Sequence, residues 1–156
     1  MRRIEADILS GLGEHEANQV LVLGSPRTYS VGEVVFDLGD EARNLFLVRS
    51  GRVDLTLPLR VQGKEEDVAV EERAHGQMFG WSALVPPHRF TLKSTVRADA
   101  ECLVFPREHL LEFFSREPGV GWRVMANVAA IMGQRFQVFQ AMWLRQVQFA
   151  LEHQNA

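Results

Sequence analysis

Short strand-like runs between glycines fill the middle of this sequence, and they restrict its fold more than any other feature. From Tyr29 to Phe105 the chain is rich in valine, leucine, phenylalanine and threonine, with glycines at intervals typical of short antiparallel strands. We count about seven or eight strands, too many for one open sheet in so few residues. The pattern therefore predicts a mainly β fold, a double-stranded β-helix or jelly-roll barrel over residues 28–105.

Several individual strands can be placed within the predicted barrel. The segment "VGEVVF" reads as one strand and "NLFLVRSGRVDLTLPLRV" as a hairpin that turns at Ser50-Gly51. Pro58 has no N–H for a ladder, so the second arm of that hairpin is expected at an edge. The charged segment "QGKEED" is expected at a hairpin tip, and "FTLKSTVRA" and "ECLVFP" are expected to form two further strands.

Helical patterns flank the barrel on both sides and complete a single predicted domain over residues 1–156. Residues 1–27 are expected to form helices interrupted at "GLG", with Ile4, Ile8 and Leu9 on one face. Residues 106–156 are expected to form a short helix that ends at Pro118, followed by a long one. The long helix runs for about 35 residues without proline, or about 50 Å.

The long helix carries two apolar stripes, although a helix that lies on one barrel needs only one. The first stripe comprises Met125, Val128, Met132, Phe136, Phe139 and Trp143. The second comprises Val124, Ile131, Val138, Met142 and Phe149. The second stripe predicts a homodimer in which two copies of this helix meet. The alternative is that the helix folds back on its own barrel or on the N-terminal helices.

Composition and charge exclude several classes of function. The net charge of −3 provides no overall attraction to nucleic acid or to an anionic membrane. The single cysteine, Cys102, allows neither a disulfide within the chain nor a metal site with several thiolates, and it is expected to be buried in a strand. No apolar run approaches the ~20 residues of a membrane span, and the N-terminus is not a secretory signal. A soluble, cytoplasmic protein is therefore expected.

The sequence offers no recognisable catalytic machinery. The five histidines are scattered singly, whereas a metal-dependent barrel enzyme of the cupin kind needs a His-x-His pair with further ligands nearby. There is no nucleophile–base pair and no Walker-type loop, so we predict no enzyme, no metal and no required cofactor. Arg123, Arg135 and Arg145 on the long helix are expected on a solvated face or in pairs between helices.

Three segments resemble the cyclic-nucleotide-binding domain family, in particular the sensor domain of catabolite-activator-protein-like regulators. "VGEVVFDLGDEARNLFLVRSGRVDL" has the glycine–glutamate turn, the Phe, the Gly-Asp loop and the strand–Gly–strand segment of the family's first half, in the family's order. "FGWSALVPP" stands where that family has its phosphate-binding cassette, and "STVRADAECLVF" resembles the strands that follow. The resemblance covers nearly the whole chain.

The resemblance implies a short cassette helix at about residues 79–85, whose N-terminal N–H groups would face the phosphate of a cyclic nucleotide. Phe79, Gly80, Ser82, Ala83 and Leu84 match the family's pattern, and Gly80 would let a ligand approach the main chain.

Two side chains with which the family holds its ligand are replaced, one in the cassette and one shortly after it. Trp81 stands where the family has a Glu that binds the ribose hydroxyl, and Leu92 stands where it has an Arg that pairs with the phosphate. Arg89 and Lys93 are the remaining candidate cations. Strand alternation groups Lys93 with Thr91 and Thr95, and Leu92 with Phe90 and Ser94, but the sequence leaves open which group faces the pocket.

The two replacements predict weak or absent binding of cyclic AMP and cyclic GMP. Loss of two charge-assisted hydrogen bonds at ~1.5–3 kcal/mol each lowers affinity roughly 10²- to 10⁴-fold. The sequence therefore predicts a non-enzymatic regulatory module that binds another small ligand, or an anion held by the cassette helix with Arg89 or Lys93. The alternatives are a genuine cyclic-nucleotide sensor, a scaffold whose barrel is filled by its own side chains, and a cupin-like metal enzyme.

The resemblance also implies how such a module signals. Occupancy of the barrel would move the cassette, the hinge near Pro118 and the long helix, and an effector protein that the sequence does not identify would respond to that movement. Regulators of this kind follow the long helix with a helix-turn-helix domain of about 70 residues. No such sequence follows here, so direct DNA binding is not predicted.

Overall fold

The computed structural model describes residues 5–154, and over that range the chain forms six strands with helical segments before and after them. Residues 1–4, including Ile4 of the predicted N-terminal helical face, and residues 155–156 lie outside the described range. The elements are a 3-10 turn at Asp7–Leu9, α1 at Glu14–Leu21, β1 at Ser25–Tyr29, β2 at Val34–Phe36, β3 at Asn44–Val61, β4 at Lys64–Arg73, β5 at Met78–Phe79, a 3-10 turn at Trp81–Ala83, β6 at Lys93–Pro106, α2 at Arg107–Arg116 and α3 at Pro118–Gln154.

The strands form one antiparallel sheet in the order β1-β6-β3-β4, with β2 paired to β6 and β5 paired to β3. The long strands β3 and β6 pair from Asn44 opposite Pro106 to Thr56 opposite Lys93. Together with the flanking helices, this sheet confirms the predicted mainly β jelly-roll architecture. Pro58 lies beyond the last β3–β6 pair, as its predicted edge position requires.

The predicted number of strands is too high because two expected breaks do not occur. The chain does not reverse at Ser50-Gly51, and β3 continues through both residues. Irregular pairing at Val48/Ser50 and at Ser50/Arg52 bends the strand there, and Gly51 has a φ of +80° that permits the bend. In the same way, most of "FTLKSTVRA" and "ECLVFP" form one strand, β6.

The N-terminal segment is less helical than predicted and is fastened to the rest of the molecule. The strands begin at Ser25, three residues before the predicted start of the barrel. Asn127 of α3 donates hydrogen bonds to the carbonyls of Ile8 and Ser10, both at 2.8 Å. The Asp7 carboxylate accepts the Met78 N–H at 3.1 Å, and burial raises the pKa of Asp7 above its usual range.

Four aromatic rings form the centre of the barrel core. Phe36 stacks on Phe90 with ring centroids 3.6 Å apart, and Phe46 stacks on Phe79 at 4.9 Å. All four side chains are buried, so they contribute strongly to stability through the area they remove from water.

Helix α3 is packed against the core in its first part and exposed in its second part, so it does not carry two apolar faces along its full length. Val124 and Val128 are fully buried, and Ile131 and Met132 pack partly buried against the same core. Val124 is therefore occupied within its own chain and cannot belong to the predicted dimer stripe. Beyond Met132 most of the large apolar side chains are exposed: Phe136, Val138, Phe139, Met142, Trp143, Leu144, Phe149 and Leu151. Over residues 5–154, no helix is both long and apolar enough to cross a membrane.

Cys102 is fully buried, as predicted, and burial raises the pKa of its thiol to about 12. We expect a thiol reagent to label Cys102 only after unfolding.

The raised pKa of Cys102 also makes the free energy of unfolding depend on pH. The folded state keeps the thiol protonated where the unfolded state loses the proton, so the contribution of Cys102 to stability is complete below the ordinary pKa of 9.0 and is lost as pH rises from there towards about 12. Urea unfolding across that range should show this slope in the native chain; an equal slope in Cys102→Ala would contradict it.

Candidate functional site

The predicted cassette helix is a single 3-10 turn. Gly80 adopts a left-handed conformation, with φ of 77° and ψ of 33°, and turns the chain from β5 into Trp81–Ala83. The turn cannot extend into a longer helix because Pro86 has no N–H to donate and disfavours helical backbone at Val85. Three residues provide only a small aligned dipole. The predicted anion site at the start of a cassette helix therefore loses its main physical support.

The protein's own side chains surround this turn. A Cβ at Gly80 would lie 3.0 Å from Phe46 Cδ2 and 3.2 Å from Phe90 Cε1, so these rings occupy the space through which a ligand was expected to approach the main chain. The Nδ1 of His88 lies 3.0 Å from the Ser82 carbonyl, to which it donates. Ser82, Ala83 and Leu84 are buried, so the turn is a packed element of the barrel.

Burial and side-chain contacts settle which residue near the predicted cation position faces the barrel interior. Leu92 is buried and lines the space beside Trp81. The Lys93 ammonium instead donates to Asp67 of β4 at 2.9 Å, and this hydrogen bond raises the pKa of Lys93. Arg89 is exposed and reaches the Gly39 carbonyl at 3.4 Å. Among residues 5–154, neither candidate cation lines the space beside the cassette.

Two rows of side chains cross β6, β3 and β4 on the same face as Leu55. Directly paired residues in antiparallel strands share a face. Leu55 pairs with Ser94 on one side and with Glu71 on the other, and the next row carries Val96, Val53 and Arg73 in the same order. This register places a carboxylate and a guanidinium on one face of β4.

Arg135 of α3 completes this cluster, although the sequence predicted a solvated face or a pair between helices. Its side chain is 9% exposed, and it is hydrogen-bonded to the Glu71 carboxylate. Its guanidinium carbon lies 5.5 Å from the centre of the Trp81 ring. Glu71 also accepts a hydrogen bond from Arg73 at 2.7 Å. The cassette turn, β4 and α3 are thus joined by one charged network.

The space within this part of the barrel is small. About 10 Å³ remains between side chains that include Leu55, Trp81, Leu92 and Arg135, which is room for about one water molecule. A larger open groove of about 550 Å³ lies outside the barrel between the N-terminal segment and His75-Gly76, and none of the predicted site residues lines it.

The sequence profile of the family described as "Cyclic nucleotide-binding domain" matches residues 26–117, more than half of the chain. The chain belongs to the cyclic nucleotide-binding domain family. The matched residues include every strand except the first residue of β1, and they contain the cassette turn and all of α2. Within this cyclic nucleotide-binding domain, the positions of Trp81 and Leu92 carry no charge.

The chain is also similar to curated relatives and to solved structures. The chain is 30% identical over 139 residues to glutaminase 1 of Bradyrhizobium diazoefficiens, a match that covers 88% of this chain and 21% of that protein. The crystal structure of Thermus thermophilus catabolite activator protein superposes with a TM-score of 0.74 at 26% identity, covering 88% of this chain and 62% of that one. A cyclic nucleotide-binding domain from Methylobacillus flagellatus KT has a TM-score of 0.80 at 14% identity, covering 92% and 82%, and shares the fold. The chain therefore spans about a fifth of the glutaminase and under two thirds of the activator protein.

Proposed function

We propose that this cyclic nucleotide-binding domain is a non-enzymatic regulatory module that senses a small ligand in its barrel and signals through α3. The observation that carries the proposal is the contact of Arg135 with both Trp81 and Glu71. A ligand that displaces Trp81 or Arg135 must alter how α3 packs on the sheet, because the Arg135 guanidinium contacts both the cassette turn and the sheet. Ligand binding in the barrel and the position of α3 are therefore coupled through the Arg135 side chain.

The ligand is proposed to be something other than tightly bound cyclic AMP or cyclic GMP. Trp81 and Leu92 remove the two charge-assisted hydrogen bonds of the family, and the residual space holds about one water. Each missing bond lowers affinity by about a factor of 10 or more. A cyclic nucleotide would also have to displace the indole.

The output surface is proposed to be the exposed apolar part of α3. Val138, Met142 and Phe149 of the predicted dimer stripe are each more than half exposed, and Ile131 lies where the helix leaves its own core. Large exposed apolar patches of this kind are typical of protein–protein contacts. We propose that a second copy of this helix covers the patch and that an effector protein responds to the change in α3.

A scaffold role is the second candidate function. The stacked rings of Phe36, Phe46, Phe79 and Phe90 fill the barrel centre, and little space remains beside Trp81. In a scaffold these side chains would serve only to stabilise the barrel, and α3 would present a constant surface to its partner.

Two measurements test the proposed function. Titration calorimetry with cyclic AMP and cyclic GMP should show no sub-micromolar binding to the native chain; such binding would contradict the proposed ligand preference.

Hydrogen exchange in α3 should increase in Arg135→Ala, since the contact with Glu71 and Trp81 is lost, but not in Arg145→Ala, whose side chain is exposed on the same helix. Equal exchange in the two variants would favour the scaffold role.

A further inference from the structure

The open groove beside the N-terminal segment takes no part in the barrel site. It has a volume of about 550 Å³ and lies between that segment, helix α1 and the loop before β5. One face of α1 forms a wall of the groove, with lining residues at positions i, i+3, i+4 and i+7: Glu14, Ala17, Asn18 and Leu21. This face is about 10 Å long at ~1.5 Å per residue, which is enough for a few residues of an extended chain.

The groove is preformed because the N-terminal segment is fastened on two sides. The Asp7 N–H donates to the Gly76 carbonyl at 2.9 Å, and the Asp7 carboxylate accepts the Met78 N–H at 3.1 Å. A Cβ on Gly76 would clash with the Glu5 carbonyl oxygen, so a glycine is needed for this close approach. Asn127 of α3 holds two carbonyls of the same segment. A partner that binds a preformed surface loses less affinity to ordering that surface.

The lining of the groove combines an apolar floor with carboxylates. Four apolar side chains, buried or partly buried, form the floor: Leu9, Leu12, Ala17 and Leu21. Glu5 and Glu14 are exposed at its sides. Among residues 5–154, no lysine or arginine lines the groove, and neither of these two carboxylates is in an ion pair.

The other titratable groups around the groove add acceptors more than donors. The Nδ1 of His75 donates to the Arg49 carbonyl at 2.6 Å, so the neutral ring has its Nε2 as an acceptor. The Asp7 carboxylate already accepts a backbone N–H. Arg123 of α3 packs against Gly11 at the edge, where a Cβ on Gly11 would lie 3.2 Å from the Arg123 Cδ. Negative charge therefore exceeds positive charge around the groove.

We propose that this groove binds a basic peptide segment of a partner protein. An apolar side chain of the segment packs on the floor, and its lysine or arginine side chains pair with Glu5 and Glu14. Burial of the apolar side chain supplies the larger part of the affinity, because exposed ion pairs contribute little. The proposal is independent of the ligand proposed for the barrel, because neither Trp81 nor Arg135 lines the groove.

The test measures fluorescence anisotropy of a labelled peptide that alternates arginine and leucine, titrated with the full chain. We expect saturable binding that weakens about 3- to 5-fold in Glu14→Gln. Glu16→Gln is the matched control, since Glu16 is an exposed carboxylate of the same helix outside the groove. A peptide that alternates arginine and serine should bind about 10-fold more weakly, because it lacks the apolar anchor. Equal weakening in Glu14→Gln and Glu16→Gln would overturn the proposal, since only net charge would then be acting.

Ala17→Lys is expected to weaken binding of the same peptide by about 10-fold or more, because it places a long cationic side chain on the floor. Gln19→Lys adds the same charge to the same helix outside the groove and should leave the affinity unchanged. Equal affinities in the two lysine variants would overturn the groove as the binding surface. Hydrogen exchange of α3 in Arg135→Ala tests the barrel proposal separately, so the two proposals can fail independently.

Two further measurements distinguish other occupants of the groove. Residues 1–4 contain two arginines and an isoleucine. If the native chain does not bind the peptide but a chain lacking residues 1–4 binds it, the occupant is the chain's own N-terminus and the partner proposal is overturned. If Ala17→Lys changes the sedimentation coefficient of the chain without peptide and Gln19→Lys does not, a second copy covers the groove, which also overturns the partner proposal.

Discussion

The combined substitution Trp81→Glu and Leu92→Arg is expected to raise the affinity of this domain for cyclic AMP by about 10²- to 10⁴-fold. The pair returns an acceptor for the ribose hydroxyl and a cation for the phosphate, each worth ~1.5–3 kcal/mol as a charge-assisted hydrogen bond. Leu92, just before β6, already lines the cavity, so an arginine side chain there starts beside the space that the ligand would occupy. Replacement of the indole by a shorter side chain also makes room for the sugar.

The two single variants and an uncharged pair complete this experiment. Each single substitution returns only one of the two groups that hold the ligand, so each should gain less affinity than the pair. The uncharged control, Trp81→Leu with Leu92→Met, opens the same space without charges and should gain less than about 10-fold. Calorimetry with cyclic AMP and cyclic GMP measures all four variants. If the uncharged control gained as much as the charged pair, space rather than charge would be the missing factor.

Gly51→Ala is expected to destabilise the fold by about 3 kcal/mol or more, a large fraction of the stability of an ordinary domain. A Cβ at Gly51 would lie 2.2 Å from the Asp99 carbonyl oxygen and 2.6 Å from the Ala100 Cα. Both are backbone atoms of β6, the partner strand, so neither can rotate away. Gly51 also has a φ of +80°, which adds conformational strain for any residue with a side chain.

Gly63→Ala is the matched control for Gly51→Ala. Gly63 has a φ of +79°, but a Cβ there would meet nothing within 4 Å. Its substitution should cost only the left-handed strain of ~1–2 kcal/mol. The difference between the two variants in urea unfolding isolates the close approach of β3 to β6. Similar losses of unfolding free energy in both variants would contradict the contact between these strands.

Much of the architecture was readable from local patterns. Alternating apolar residues, glycine punctuation and the proline-free C-terminal stretch predicted the strands and α3, because each reports the periodicity of one element. The error at Ser50-Gly51 shows the limit of this reasoning. A glycine can reverse a strand or merely bend it, and the choice depends on the partner strand, here β6.

The candidate site was harder to predict because its parts come from distant segments. The sequence predicted Arg135 on a solvated face or in a pair between helices, yet it occupies the fourth position in the spacing Val124, Val128, Ile131, Arg135, Val138 and Met142. An arginine within an apolar stripe was the available signal, since such a position faces whatever the helix packs on. Its partner Glu71 lies 64 residues away, and no local pattern connects the two.

The sequence by itself determined the family, through segments that resemble it, and the jelly-roll architecture, through short-range periodicity; that Trp81 and Leu92 replace charged residues of the family stays a prediction. Only the tertiary structure decided that Leu92 rather than Lys93 faces the interior, that Val124 is buried within its own chain, and that Arg135 meets Glu71 beside the cassette turn. Those outcomes depend on strand register and on how α3 packs against the sheet, which are set by contacts between residues far apart in the chain.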